Sequence, residues 1–213
     1  ATAIVLCGGK GSRMNSETTH KVCFPVGGVP AIHRTLDNIT AAGIDKIIVV
    51  VGSMAGQVIE CITEKFPHVG FVYQQKPLGT GDAARRGFQF LRALGREGPV
   101  LISMGDKIID PAVIRQLLEE YSGHDREAVY TCQKREFNPT GGRIVFDTGG
   151  TPRGIIESRD VTKAINEGNP LMIGGKEYDP LTVDQTPYVN AALYLFHTQA
   201  VYPILEQLET GNA

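Results

Sequence analysis

Short apolar runs alternate with amphipathic stretches through the first half of the chain, and this alternation points to the fold class. Ala3 to Cys7 is a continuous apolar run rich in β-branched residues, the pattern of a strand buried on both faces, and it stops at Gly8. Pro30 then stands where the first turn of a helix tolerates it; Ile32, Leu36 and Ile39 keep helical spacing until Gly43. Lys46 to Val51 reads as a second buried strand, and Ser53 as the cap of a helix whose apolar positions are Val58, Ile59 and Ile62. Gly70 to Tyr73 gives a third strand. A polar turn from Gln74 to Gly81 leads into a helix with Ala83, Ala84, Phe88 and Leu91 on one face. Val100 to Met104 is the fourth strand, closed by Gly105 and Asp106. Asp110 and Pro111 open the next helix, whose stripe is Val113, Ile114, Leu117, Leu118 and Tyr121 and whose end is Gly123.

Strand and helix in regular alternation imply a parallel, doubly wound α/β sheet, because parallel neighbours need crossover connections and helices supply them. The second half reads differently. Ala128 to Cys132, Gly142 to Phe146, Gly154 to Ile156 and Tyr188 to Phe196 look like strands without helices between them, so antiparallel additions to a parallel N-terminal half are expected. Ser158 to Pro187 is polar, rich in Gly and Pro and without clear period, the profile of a functional lid or mobile segment. A last helix begins at Val201.

With 213 residues, 42% hydrophobic and 21% charged, the chain suits one large domain, read as a nucleotide-binding half over 1–124 and a second half over 125–213. A net charge of −2 without any Lys/Arg-rich block argues against nucleic acid or a membrane surface as partner. Cys7, Cys23, Cys61 and Cys132 have no metal-ligand spacing and are expected to be buried, reduced thiols. No apolar run approaches the ~18 residues of a membrane span and no basic leader precedes the first strand, so a cytoplasmic location is the expectation. The oligomeric state stays open, a homo-oligomer included. Starting inside a strand without Met, the chain reads as a piece of a longer protein.

The candidate chemistry gathers after the first strand. Gly8, Gly9 and Gly11 share a short segment with Lys10, Arg13 and, further on, Lys21; bare amides and cations suit a polyphosphate. The spacing is wrong for a mononucleotide P-loop, G-x-x-x-x-G-K-[ST], and Met14 stands where a dinucleotide fingerprint needs a small residue. In an open parallel sheet ligands bind beyond the carboxyl ends of the strands. The glycine loop, the Gln74–Gly81 turn and Asp106 all fall there. A carboxylate beside a polyphosphate needs a cation between them, and Mg²⁺ prefers that mixture of oxygens, which makes Asp106 the candidate metal ligand. His20, His33, His68, His124 and His197 are scattered, and no nucleophilic triad can be drawn; phosphoryl and nucleotidyl transfer need none.

Leu6-Cys7-Gly8-Gly9-Lys10-Gly11-Ser12-Arg13-Met14, followed by Lys21 and Pro25-Val26-Gly27-Gly28, resembles the signature of the sugar-1-phosphate nucleotidyltransferases, the nucleoside-diphosphate-sugar pyrophosphorylases. It is most similar to the uridylyltransferase domain that makes UDP-N-acetylglucosamine. The likeness continues in order through Gln74, Pro77-Leu78-Gly79-Thr80-Gly81, Gly105-Asp106, Gly142-Arg143-Ile144, Ile155-Ile156-Glu157 and Asn190-Ala191-Ala192-Leu193-Tyr194.

The resemblance implies a Rossmann-like mixed sheet of the nucleotide-diphospho-sugar transferase (GT-A-like) type. It also implies a Mg²⁺-dependent attack of a hexose or N-acetylhexosamine 1-phosphate on the α-phosphorus of a nucleoside triphosphate. It places Leu6, Gly8, Gly9, Gly11 and Arg13 at the nucleotide, Gln74, Gly79 and Thr80 at a pyrimidine base, UTP being favoured, and Arg13, Lys21 and Asp106 in catalysis, with Asp106 on the metal. Gly142, Glu157 and Asn190 would bind the sugar. His20 stands where the family usually has proline, the stretch between Glu157 and Asn190 is longer than usual, and the family's second metal ligand is expected beyond Ala213. Transfer to another phosphate acceptor, or a regulatory homologue that binds nucleotide sugar without turnover, are the competing readings.

Overall fold

The structure is a computed structural model that describes residues 1–9, 18–123, 126–205 and 207. The chain forms two compact units, Ala1–Val129 with Leu193–Ala213, and Tyr130–Ala192.

In the first unit β1 (Thr2–Cys7) is followed by a 3₁₀ turn (Lys21–Cys23), a small hairpin of β2 (Pro25–Val26) and β3 (Val29–Pro30), and α1 (Ala31–Ala41). Then come β4 (Lys46–Val51), α2 (Ala55–Thr63), β5 (Gly70–Tyr73), α3 (Thr80–Ala93), β6 (Pro99–Met104) and α4 (Pro111–Ser122). The strands lie in the order β5-β4-β1-β6, all parallel, as the alternation predicts. Chain order reverses between β1 and β6, and that crevice is where open sheets of this kind receive ligands.

Successive side chains of a strand point to opposite faces, and β1 therefore feeds two cores. Ala3, Val5 and Cys7 pack with Ile32, Leu36 and Ile39 of α1, Val58 and Ile62 of α2, and Ile114 and Leu117 of α4. Ile4 and Leu6 pack on the other face with Ala83, Phe88 and Leu91 of α3. Each such fully buried Ile, Leu or Phe contributes roughly 1.5–3 kcal/mol of transfer free energy. The helix starts follow their sequence signals in part. Asp110 caps α4, its side chain accepting from the Ala112 N–H, with Pro111 in the first turn. Ser53 does not cap α2, contrary to expectation. Met54 takes the cap position with a left-handed backbone, φ 52°, while the Ser53 N–H donates to the Gly8 carbonyl at 3.4 Å.

The second unit holds most of β7 (Ala128–Lys134), then β8 (Arg143–Phe146), β9 (Pro152–Ile156), α5 (Ser158–Glu167), β10 (Leu171–Ile173), β11 (Lys176–Tyr178), α6 (Pro180–Asp184) and the start of β12 (Tyr188–His197). β8 and β9 pair antiparallel, and Val189 of β12 pairs with Arg143. Residues 158–187 are therefore not a structureless lid, and helices do occur before the tail. Val161 and Ala164 of α5, Leu171 and Val183 join Val145 in a core of their own. The stretch misled because α6 and both strands are short, α5 has few apolar residues (Val161, Ala164 and Ile165) among its ten, and the turns supply the Gly and Pro.

β12 returns to the first unit, where Leu193–His197 pair antiparallel with β6, and α7 (Thr198–Leu205) adds Val201 and Leu205 to the α3 side. The sheet is thus mixed, a parallel core with antiparallel strands, as expected. All four thiols are free; Cys7 is buried, but Cys132 is exposed on β7, against expectation. Among the described residues no helix is long and apolar enough to cross a membrane.

Candidate active site

Because β1, β4, β5 and β6 are parallel, the residues that follow them share one edge. Backbone bonds fasten that edge: the Gln74 N–H donates to Val51 O at 2.8 Å, and the Gly105 N–H to Leu6 O at 3.0 Å. Leu6, Gly8, Gly9, Lys21, Gln74, Gly79 and Thr80 line one cavity there of about 380 Å³, with Pro77, Ala83 and Met104 completing its wall. Of the residues singled out for the nucleotide, Gly11 and Arg13 lie outside the described residues; the others meet in this cavity.

Gly8 has a steric reason to be glycine, since a Cβ there would strike the Gln74 Oε1. Gly79 adopts φ 92°, a conformation an L side chain rarely takes, and starts α3 so that Thr80 is its first residue.

Lys21 and Asp106 are brought together. The Lys21 Nζ donates to Asp106 Oδ2 at 2.9 Å, with side chains 29% and 38% exposed. His20, just before Lys21, is buried and holds this region in place. Its Nε2 lies 2.9 Å from Gly9 O, and its Nδ1 accepts from the Val22 N–H at 3.3 Å. A neutral imidazole protonated on Nε2 satisfies both bonds. Burial lowers the His20 pKa and the Lys21 charge adds to this, outweighing the opposite pull of the Gly9 carbonyl and Asp106.

Asp82, in the first turn of α3, was not singled out by the sequence. It is buried, accepts from Gln74 Nε2 at 2.9 Å, and is paired with Arg85 and, at 3.7 Å, with Arg86. Burial by itself raises its pKa, but the bonds from Gln74 and Arg85 and the charges of both arginines bring it below the usual carboxylate value. An acidic residue in the first turn of a helix was the available signal, and it reads equally well as a favourable helix-dipole contact. The thiols nearby offer no nucleophile, since burial pushes Cys7 up strongly and Cys23 up to about 12.

In the second unit Gly142, Glu157 and Asn190 are also neighbours. The Asn190 N–H donates to Gly142 O at 2.9 Å, and a Cβ on Gly142 would lie 3.6 Å from Glu157 Oε1. The Asn190 Oδ1 accepts from the Ala192 N–H at 2.9 Å, which fixes the amide's orientation. The adjacent loop is tied down by Arg143, whose Nη1 donates to Pro139 O and Gly141 O while Nε and Nη2 donate to Asp184 Oδ1. Asp184 belongs to the stretch read as a lid, and here it is a buttress.

The Bifunctional protein GlmU of Clostridium tetani is 32% identical to this chain over 216 residues, and that of Shouchella clausii 29% over 214. Both alignments cover 99% of this chain but only 42% and 41% of the relatives, so the chain spans about two-fifths of their length. A Bacillus anthracis chain assigned as a glucose-1-phosphate thymidylyltransferase, crystallised with sucrose, superposes with a TM-score of 0.72 at 21% identity, covering 98% of this chain and 75% of its own. That likeness fixes the fold. The sequence profile of the MobA-like NTP transferase domain matches residues 3–210, and the chain belongs to that family.

Proposed function

We propose that this chain is a sugar-1-phosphate nucleotidyltransferase. In this reading it joins a nucleoside triphosphate, UTP first, to a hexose or N-acetylhexosamine 1-phosphate and releases pyrophosphate. The observation that carries the reading is the convergence, in one cavity, of Gly8, Gly9, Lys21 and Gln74, with Asp106 bonded to the Lys21 ammonium. Relatives that share the fold and include a chain assigned to thymidylyl transfer onto a sugar 1-phosphate support the same chemistry.

The reaction asks little of acids and bases. An oxygen of the sugar phosphate attacks the α-phosphorus, the bond from that phosphorus to the bridging oxygen breaks, and its electron pair leaves with pyrophosphate. The nucleophile is already ionised, so no proton has to be removed. The work of the chain is to hold two anions together: Gly8 and Gly9 admit the phosphates closely, and Lys21 offsets the charge that grows in the transition state. Gln74, Gly79 and Thr80 receive the base.

One carboxylate with substrate phosphate oxygens is a donor set that suits Mg²⁺, and Asp106 is the residue here that would hold it. The ion, when bound, would screen the phosphate charge. Glu157 and Asn190 would bind the sugar, whose hydroxyls and acyl group match their acceptors and donors.

The test is to mix the chain with Mg²⁺, each common nucleoside triphosphate and a panel of sugar 1-phosphates, and to measure pyrophosphate. Release that requires both substrates and stops with a chelator is expected. Binding of nucleotide sugar with no release from any pair would overturn the catalytic reading in favour of a sensing role.

A further inference from the structure

The Gln74 side chain is held by an arrangement that leaves it one orientation. Its Nε2 donates to Asp82 Oδ2 at 2.9 Å and to Gly79 O at 3.2 Å. Both partners are acceptors: a carbonyl oxygen cannot donate, and an ionised carboxylate cannot either. The end of the amide that faces them must be the NH₂, so a flipped side chain would set two acceptors against its carbonyl. Asp82 is itself clamped, by Arg85 at 2.5 Å and Arg86 at 3.7 Å, and is kept ionised by them.

The consequence falls on Oε1. It lies over Gly8, at the position a side chain there would occupy, and it accepts no hydrogen bond from the described residues. The cavity therefore presents an acceptor at this point, never a donor.

Resting on the reading that this cavity receives the nucleotide base, we propose that Asp82 is a positioning residue for nucleotide choice. By fixing the Gln74 amide it makes the cavity select a pyrimidine that offers a ring N–H over one that offers a lone pair. Uracil and thymine carry a hydrogen on N3 and can donate it to Oε1. Cytosine has a bare N3, which would face Oε1 lone pair to lone pair and leave both unpaired. The two rings are otherwise nearly the same size, so shape alone would not separate them.

The experiment is equilibrium binding of UDP and CDP, by calorimetry without turnover, to the full chain and to D82N, with thermal unfolding of both. In D82N the new amide would keep its oxygen on Arg85 and turn its NH₂ towards Gln74, where it can donate to Oε1; only the Gly79 carbonyl would still oppose the flipped side chain, and the fixed orientation is lost. The wild-type chain should bind UDP at least about tenfold tighter than CDP, since the wrong base leaves buried acceptors unpaired. D82N should bring the two within about threefold, by weakening UDP and strengthening CDP, a change that simple loss of structure would not produce. Where pyrophosphate release can be followed, the same shift should appear in KM for UTP and CTP more than in kcat. Equal affinities in the wild-type chain, or an undiminished UDP preference in a folded D82N, would overturn the role of Asp82. Selective binding of UDP without pyrophosphate release would leave that role standing and count only against catalysis.

Discussion

The ammonium of Lys21 and the carboxylate of Asp106, 85 residues apart in the chain, lie 2.9 Å from one another beside the glycines that follow β1. Neither side chain is buried enough for the pair to be explained as a device for stability, since exposed ion pairs contribute ~0–1 kcal/mol. What the pair does is set a carboxylate oxygen against the one lysine that lines the cavity among the described residues.

Replacing Asp106 with Ala should therefore separate stability from activity. Thermal unfolding should shift by less than about 1 kcal/mol. Mg²⁺-dependent pyrophosphate release should fall by about a hundredfold or more. A variant that keeps its activity would remove Asp106 from the chemistry.

Lys21→Ala should mostly lower kcat, by roughly 10²–10³, with a smaller change in KM for the nucleotide, because the charge it offsets grows in the transition state. A pure KM effect, measured in the same steady-state assay, would instead make Lys21 a ground-state binder.

His20 gives the fold a dependence on acid. Its pKa is lowered from its ordinary 6.5 by burial, so below that value the unfolded chain takes up a proton that the folded chain resists. The contribution of neutral His20 should be complete above pH 6.5 and should drain away as the pH falls from there towards the folded-state value. Denaturant unfolding followed across that window should show a steeper loss in the wild type than in H20Q. Parallel curves would contradict the assignment.

Gly8→Ala should leave the chain folded but damage the cavity, as the new methyl would displace Gln74 Oε1 from its place. A loss of nucleotide affinity of about tenfold is expected from breaking one well-placed hydrogen bond. Unchanged binding would mean that the base does not meet Gln74.

In the second unit Asp184→Ala would strand Arg143, which is 3% exposed, while Asp184 itself is 35% exposed. Removing one partner of a fully buried pair costs ~3–5 kcal/mol; partial exposure here should bring the loss to about 2 kcal/mol. Chemical denaturation would read it, and a loss of a few tenths would show that Arg143 is satisfied by Pro139 and Gly141 alone.

The parallel half was legible because each of its elements carries its own signal. β1, β4 and β6 are buried runs of the right length, α4 begins with Asp110 and Pro111, and the site residues follow strands whose direction the alternation dictates. What escaped is α5, a helix of ordinary length with few apolar residues, together with local structure too short to show a period and contacts set by tertiary geometry. α6 has five residues and β10 and β11 three each, below the window in which periodicity can be read. Arg143 and Asp184 are 41 residues apart, and nothing in either neighbourhood names the other. His20 stood out only as a departure from a motif; its bond to the Gly9 carbonyl is what turns the departure into a structural role. In the sequence nothing sets Asp82 apart from any first-turn acid; its 2.9 Å contact with Gln74 does.

The most direct test of the account is a crystal structure of the chain with Mg²⁺ and a non-hydrolysable uridine triphosphate analogue. The phosphates should lie against Gly8 and Gly9 within reach of Lys21, the ring N3–H should donate to Gln74 Oε1, and the ion should contact Asp106. Phosphates bound away from Gly8 and Lys21, or a base with no contact to Gln74, would contradict it.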